Sequence, residues 1–242
     1  MSRIYLVRHG QAGTRKSYDS LSDLGRRQSR LLGEHFLAEG IRFDAAWRGA
    51  MSRQEKTAAE VKAVYDEAGV PFPEIQLEPG WNEFDLDHIY RAMAPQLAAA
   101  DPEFRREYEE MVAEARAAEN SPEAHINRRW MPCDTKMVRA WIEERFPFEG
   151  ESWTAFRERV ASRRHSIAPI RPDANIVVFT SATPIGVWTA LSLDVEDHRA
   201  MKLAGVIQNT AYTVVRLHGS ELRLHAFNAV PHLPSAGLRT HR

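Results

Sequence analysis

Cysteine is almost absent: Cys133 stands alone in 242 residues, so no internal disulfide can form and a reducing compartment is the expected setting. Long apolar runs are missing too. No stretch approaches the roughly 20 residues that a membrane-spanning helix needs. The chain also enters strand-like sequence without a basic-then-apolar leader. These features lead us to expect a soluble, cytoplasmic chain with no membrane partner. An excess of one charge is lacking as well. Thirty-two Lys+Arg against thirty-three Asp+Glu leave the chain near neutral and give nucleic acid no basic surface. There is no His-Glu-x-x-His pair, no cysteine–histidine cluster at ligand spacing, no glycine-rich phosphate loop and no dinucleotide fingerprint. Neither a metal nor a cofactor is expected. Nothing in the composition sets an oligomeric state.

What is present is an ordinary core-forming content of 43% hydrophobic residues, arranged in short strand-like and longer helical runs. Arg3 to Val7 reads as a first strand. Ser22 is a natural N-cap for a helix to about Glu39, with Leu24, Leu31, Leu32 and Phe36 at helical spacing and Gly40 at its stop. Phe43 to Trp47 reads as a strand. Met51 to about Glu67 reads as a helix burying Ala58, Val61, Val64 and Tyr65, and Ile75 to Leu77 as a brief strand. Residues 86–149 then lose every strand pattern. Alanine-rich, charged stretches such as Pro102 to Glu119 predict a helical insertion. After it, Ser152 to about Ile167 reads as one helix, Asn175 to Thr180 as a buried strand, and Pro184 onward as a helix. Ala211 to Leu217 and Glu221 to Phe227 form a candidate hairpin across His218-Gly219-Ser220.

The chemistry concentrates where the first strand ends, in Arg8-His9-Gly10. Such an ending delivers a guanidinium and an imidazole to the carboxyl edge of a sheet, where ligands of open α/β sheets bind. A neighbouring cation also lowers the imidazole pKa and keeps it neutral. Together with Leu21-Ser22-Asp23-Leu24-Gly25, this start resembles the histidine phosphatase (phosphoglycerate-mutase-like) superfamily, whose members attack a phosphoryl group with the histidine of an N-terminal Arg-His-Gly. The resemblance covers roughly residues 3–85 and 150–233. It implies a three-layer α/β/α fold with a mostly parallel central sheet and leaves the insertion unexplained; from its own pattern we expect 86–149 to be a helical cap insertion in a single domain over 1–242.

It also implies roles. His9 is the nucleophile, and Arg8 binds the phosphoryl oxygens. A phosphoryl group carries about two negative charges, which calls for a second guanidinium. Gly49-Ala50-Met51-Ser52-Arg53-Gln54-Glu55-Lys56-Thr57-Ala58 matches the family's Ser-x-x-x-Arg-x-x-x-Thr-Ala element through Arg53 and Thr57-Ala58, with Gly49 in place of its serine. Arg53 is therefore the expected clamp and Arg48 its rival. Glu83, in Gly80-Trp81-Asn82-Glu83, matches the acid that protonates the leaving alkoxide, with Asp85 and Asp87 as alternatives. Gln11 and Ser22 are candidates for the pocket lining.

One departure stands out. After the fourth strand the family generally carries Ser-His-Gly-Gly, whereas this chain has Thr180-Ser181-Ala182-Thr183-Pro184. Ser181, or Ala182 with a one-residue shift, takes the place of the second histidine. Ser181 is the expected phosphate donor, and a histidine restored there raises turnover if its ring fits. His232, in an Asn-x-x-x-His-Leu tail, is read as structural rather than catalytic. The expected activity is hydrolysis of a phosphorylated small molecule through a phosphohistidine. Mutase-type transfer is the nearest alternative; the resemblance disfavours it, because phosphoglycerate mutases carry a longer loop after Arg-His-Gly than the short Gln11 to Ser20 of this chain. A phosphate-ligand binding or regulatory protein is the second alternative, supported by the missing histidine. Selectivity is expected in the insertion, at Arg105, Arg106, Arg128, Arg129 and Trp130.

Overall fold

The computed structural model describes residues 1–13, 20–119, 131–167, 170–196, 198–219 and 221–241. Arg128, Arg129, Trp130 and Ser220 lie outside them. The chain forms two compact units, Met1–Glu83 with Arg159–Arg242, and Phe84–Glu158.

The first unit is built on a six-stranded sheet ordered β3-β2-β4-β1-β5-β6. Its strands are β1 (Ser2–Arg8), β2 (Ala45–Arg48), β3 (Ile75–Leu77), β4 (Asn175–Thr180), β5 (Tyr212–His218) and β6 (Glu221–Ala229). β3, β2, β4 and β1 run parallel, and β5 joins β1 antiparallel before turning into β6. The sheet is mostly parallel and flanked by helices. Alternation along β1 explains the layers. Tyr5 and Val7 point into a cluster with Leu32 and Phe36 of α1 (Asp23–Ala38) and Val61 and Tyr65 of α2 (Ser52–Glu67). Ile4 and Leu6 are fully buried on the other face, and α8 (Ala182–Ser192) packs against β1, β5 and β6.

Helix α1 buries Leu32 and Phe36 as expected, but the rest of its buried stripe differs. Gly25, Gln28, Ser29, Leu32, Gly33 and Phe36 face inward, whereas Leu24 and Leu31 are only half-buried. Gln28 and Ser29 tolerate burial because their polar atoms are bonded: Gln28 Nε2 donates to Leu238 O and Thr240 Oγ1, and Ser29 Oγ to Gly25 O. Residues 152–167 are also not one helix. They form α6 (Trp153–Ala161) and α7 (Arg163–Ile167), interrupted at Ser162. Ser162 Oγ and Arg163 Nε both donate to Arg159 O, the carbonyl that an unbroken helix would offer to the Arg163 amide. Helix α9 (His198–Ala204) was not anticipated; Gly186 of α8 lets it approach, since a Cβ there would sit 2.4 Å from Ala200 O.

The second unit is helical in its described residues. α3 (Leu86–Ala100), α4 (Pro102–Glu119) and α5 (Pro132–Ile142) pack on one another. Met93, Phe104, Met137 and Trp141 are buried, and Phe84 stacks on Trp141 at 4.8 Å between ring centroids. Arg105 and Arg106 are exposed on α4. Among the described residues, no helix is long and apolar enough to cross a membrane.

Candidate active site

The parallel pairing of β1 with β4 brings two strand ends together at the carboxyl edge. Arg8 stands beside Thr180, and the His9 amide donates to Thr180 O at 3.0 Å. The turn after β1 is then held by close packing of two glycines. A Cβ on Gly10 would lie 2.5 Å from Gly25 O, and one on Gly25 would lie 2.2 Å from Gln11 O. Ser22 fastens the same contact. Its hydroxyl accepts from Gly25 N at 3.0 Å, capping α1, and donates to Gln11 Oε1 at 2.8 Å. The Leu21-to-Gly25 element therefore works by letting α1 seat against the residues that follow His9. Gln11 is occupied in this seating, with its amide N–H on Gln28 Oε1 at 2.9 Å.

His9 is 4% exposed, and its tautomer follows from its partners. Nδ1 lies 2.8 Å from Gly10 O; a carbonyl only accepts, so Nδ1 carries the proton. Nε2 lies 3.2 Å from Arg53 Nε, which only donates, so Nε2 presents its lone pair. Burial pushes the imidazole pKa well below its usual value, and the Arg53 and Arg8 guanidiniums push it further. The ring is thus neutral at physiological pH. Its backbone is clamped as well: Gly10 N donates to Thr57 Oγ1 at 2.9 Å, and Asn209 Nδ2 to His9 O at 3.1 Å.

Arg53 reaches His9 from the first turn of α2, as the Arg-x-x-x-Thr-Ala element implies. Arg48 is engaged elsewhere, with Nη2 on Glu55 Oε1 at 2.8 Å. The Arg8 terminal nitrogens donate to two backbone carbonyls, of Ile207 and, at 2.6 Å, of His241. Glu83 Oε2 accepts from Thr183 N in the first turn of α8 at 3.1 Å. Asp85 caps α3 through His88 N, 2.9 Å away.

Ser181 is 1% exposed, stands at the N-cap of α8, and makes no capping bond there. Its Oγ instead meets Gln54 Nε2 at 2.9 Å. Gln54 escaped the sequence reading. The only signal was its place directly after Arg53, because a buried amide on a helix looks like any solvated glutamine in sequence. His232 has Nε2 3.0 Å from Thr210 Oγ1, and it stacks with His35 and Tyr212. Burial lowers its pKa to about 3, and His35 adds to that. Among the described residues, no group of three His, Cys, Asp or Glu is placed to hold a metal ion.

Comparison with known proteins agrees with this architecture. A curated relative, the mitochondrial serine/threonine-protein phosphatase Pgam5 of Caenorhabditis briggsae, is 23% identical over 161 residues, which are 62% of this chain and 52% of the relative. The matched region thus spans about half the length of that relative. Similar solved structures include Bacillus stearothermophilus YhfR, with a TM-score of 0.62 and 18% identity over 96% of this chain and 99% of that one. A phosphoserine phosphatase variant of Entamoeba histolytica, in complex with phosphoserine, has a TM-score of 0.60 at 15% identity, covering 96% and 100% of the two chains. A mycobacterial glucosyl-3-phosphoglycerate phosphatase in complex with inorganic phosphate reaches 0.58 at 18% identity, covering 96% and 99%. At these identities the structures speak for the fold. The family model of the histidine phosphatase superfamily (branch 1) matches residues 4–140 and 117–230, and the chain belongs to that superfamily.

Proposed function

We propose that this chain is a phosphomonoester hydrolase that works through a phosphohistidine on His9 Nε2. The observation that carries the reading is the state of His9: a neutral ring whose Nδ1 proton is held by Gly10 O and whose Nε2 lone pair faces Arg53. A phosphoryl group entering there offers Arg53 charged oxygens, which are stronger acceptors than a ring nitrogen. The guanidinium shifts to them and frees the lone pair for attack. Nε2 bonds phosphorus as the P–O bond to the alcohol breaks, and Glu83 gives the leaving oxygen its proton. Glu83 then takes a proton from water as that water attacks the phosphohistidine, releasing inorganic phosphate. Arg8 contributes positive charge, and Ser181 a neutral hydrogen bond. The chemistry is chiefly one of charge and position, so the residues named suffice for it.

The substrate class is a phosphorylated small molecule, in keeping with the phosphoserine and phosphate bound by the similar enzymes. We assign selectivity to the helical segment 86–149, read as an insertion within a single domain. A second reading has one observation in its favour: the position of the second histidine holds an uncharged serine already bonded to Gln54. A phosphate-binding protein with little turnover fits that substitution.

One labelling experiment separates the two readings. Brief exposure to a radiolabelled aryl phosphate should leave an acid-labile, base-stable phosphoryl group on the wild type. His9→Ala should abolish it. Glu83→Gln should accumulate it, because an aryl leaving group needs little protonation while the water step still needs the base. A wild type that binds tungstate, forms no phosphohistidine and releases no phosphate would establish the binding protein instead.

A further inference from the structure

We propose that Gln54 is a positioning residue that fixes the Ser181 hydroxyl as a hydrogen-bond donor to the bound anion. The pair, in the space that Gly49 opens, does the work of the missing histidine. The inference rests on the phosphate-site reading above and deepens it.

Gln54 is completely buried. A carboxamide has one accepting and one donating end, and which end points where is settled by its partners. Oε1 faces the backbone N–H of Met51 at 3.3 Å, a group that only donates. Nε2 faces Trp81 O at 3.3 Å, a group that only accepts. The amide cannot be turned over without setting donor against donor and acceptor against acceptor. The end that meets Ser181 Oγ at 2.9 Å is therefore the NH2, and the serine oxygen must accept from it.

A hydroxyl carries a single proton. With its oxygen engaged by Gln54, that proton remains to be donated, and Ser181 does not spend its side chain on capping α8. Ser181 directly follows Thr180, whose carbonyl holds the His9 amide at 3.0 Å. The donor is thus built one residue from the backbone contact that anchors the nucleophile.

Gly49 completes the device. A Cβ there would stand 2.1 Å from Gln54 Oε1 and 2.7 Å from Asn82 Oδ1. The amide occupies the volume that any side chain at position 49 would need. Two departures from the family pattern, a glycine for serine at 49 and a serine for histidine at 181, are thereby one change bridged by Gln54. It follows that a histidine at 181 alone fails to raise turnover, because its ring meets the Gln54 amide.

The test is calorimetric binding of tungstate to the full chain, with thermal unfolding as a control on folding. Ser181→Ala and Gln54→Leu should each weaken binding by about 3- to 10-fold, the usual span for one neutral hydrogen bond. The double variant should be no weaker than the worse single one. Ser181→Thr, which keeps the hydroxyl, should restore most of the loss seen with alanine. Gly49→Ala, which pushes the amide aside without removing it, should reproduce the Gln54→Leu loss. Additive losses, or full tungstate affinity in folded Gln54→Leu, would overturn the proposal. So would unfolding of both Gln54→Leu and Gly49→Ala, which would make the trio a packing element. Because the readout is anion binding, this pattern can hold while wild-type turnover fails, and the hydrolase reading then falls alone.

Discussion

At the scale of the residue, the determining choice is the protonation of His9. A nucleophilic imidazole must be neutral, and three causes act in the same direction: burial, Arg53 and Arg8. Removing one should be measurable. Arg53→Met should raise the His9 pKa, followed by the ring resonances in an NMR titration, and should weaken tungstate binding. An unchanged titration would mean that burial and Arg8 hold the ring neutral without Arg53. Arg8 also holds the backbone at Ile207 and His241 through its terminal nitrogens. Its Cα position was plain in Arg8-His9-Gly10. Where its guanidinium goes depended on carbonyls about two hundred residues away in sequence.

Elements meet at glycines in this protein, and that makes helix propensity a poor guide. Alanine normally stabilises a helix over glycine by about 1 kcal/mol. In α1 the same change at Gly25 places a Cβ 2.2 Å from Gln11 O, a backbone atom that cannot rotate away. Gly25→Ala should therefore destabilise the protein by about 1–3 kcal/mol, the usual cost of overpacking. Denaturant unfolding gives the sign directly: a stabilised Gly25→Ala would mean that α1 does not seat against the His9 turn as described. The C-terminal segment is bound into the same region. Thr240 Oγ1 donates to Asn209 Oδ1 and accepts from Gln28 Nε2, while Asn209 Nδ2 holds His9 O. Gln28 and Asn209 are both fully buried polar side chains, so the order of this segment and the order of the His9 loop are linked.

For the molecule as a whole, the histidines set a limit on acid stability. His9, His35 and His232 all have folded pKa values below the ordinary value of about 6.5. The folded state then binds fewer protons than the unfolded chain between the two values, so stability rises with pH across that window. It is fully present above about 6.5 and is lost as the pH falls toward the folded values, which for His232 is about 3. Melting temperature should thus decline from pH 6.5 downward. His232→Gln should flatten the upper part of that decline if its burial contributes as described; an unaltered profile would assign the acid sensitivity to carboxylates.

The family resemblance pointed to His9 and Arg53, and the sequence by itself determined the alternation of strands and helices, the strand at Asn175–Thr180 and the two helix starts at Ser22 and Met51. These are local matters of period, capping and turn chemistry, carried by neighbours in the chain. What escaped it was non-local. The buried stripe of α1 includes Gln28 because distant carbonyls satisfy its amide. The break at Ser162 depends on which donor wins one carbonyl. The role of Gln54 exists only where α2, Trp81 and the end of β4 converge. A polar side chain is legible as buried only when its partners are known, and in this protein those partners are supplied by tertiary structure alone.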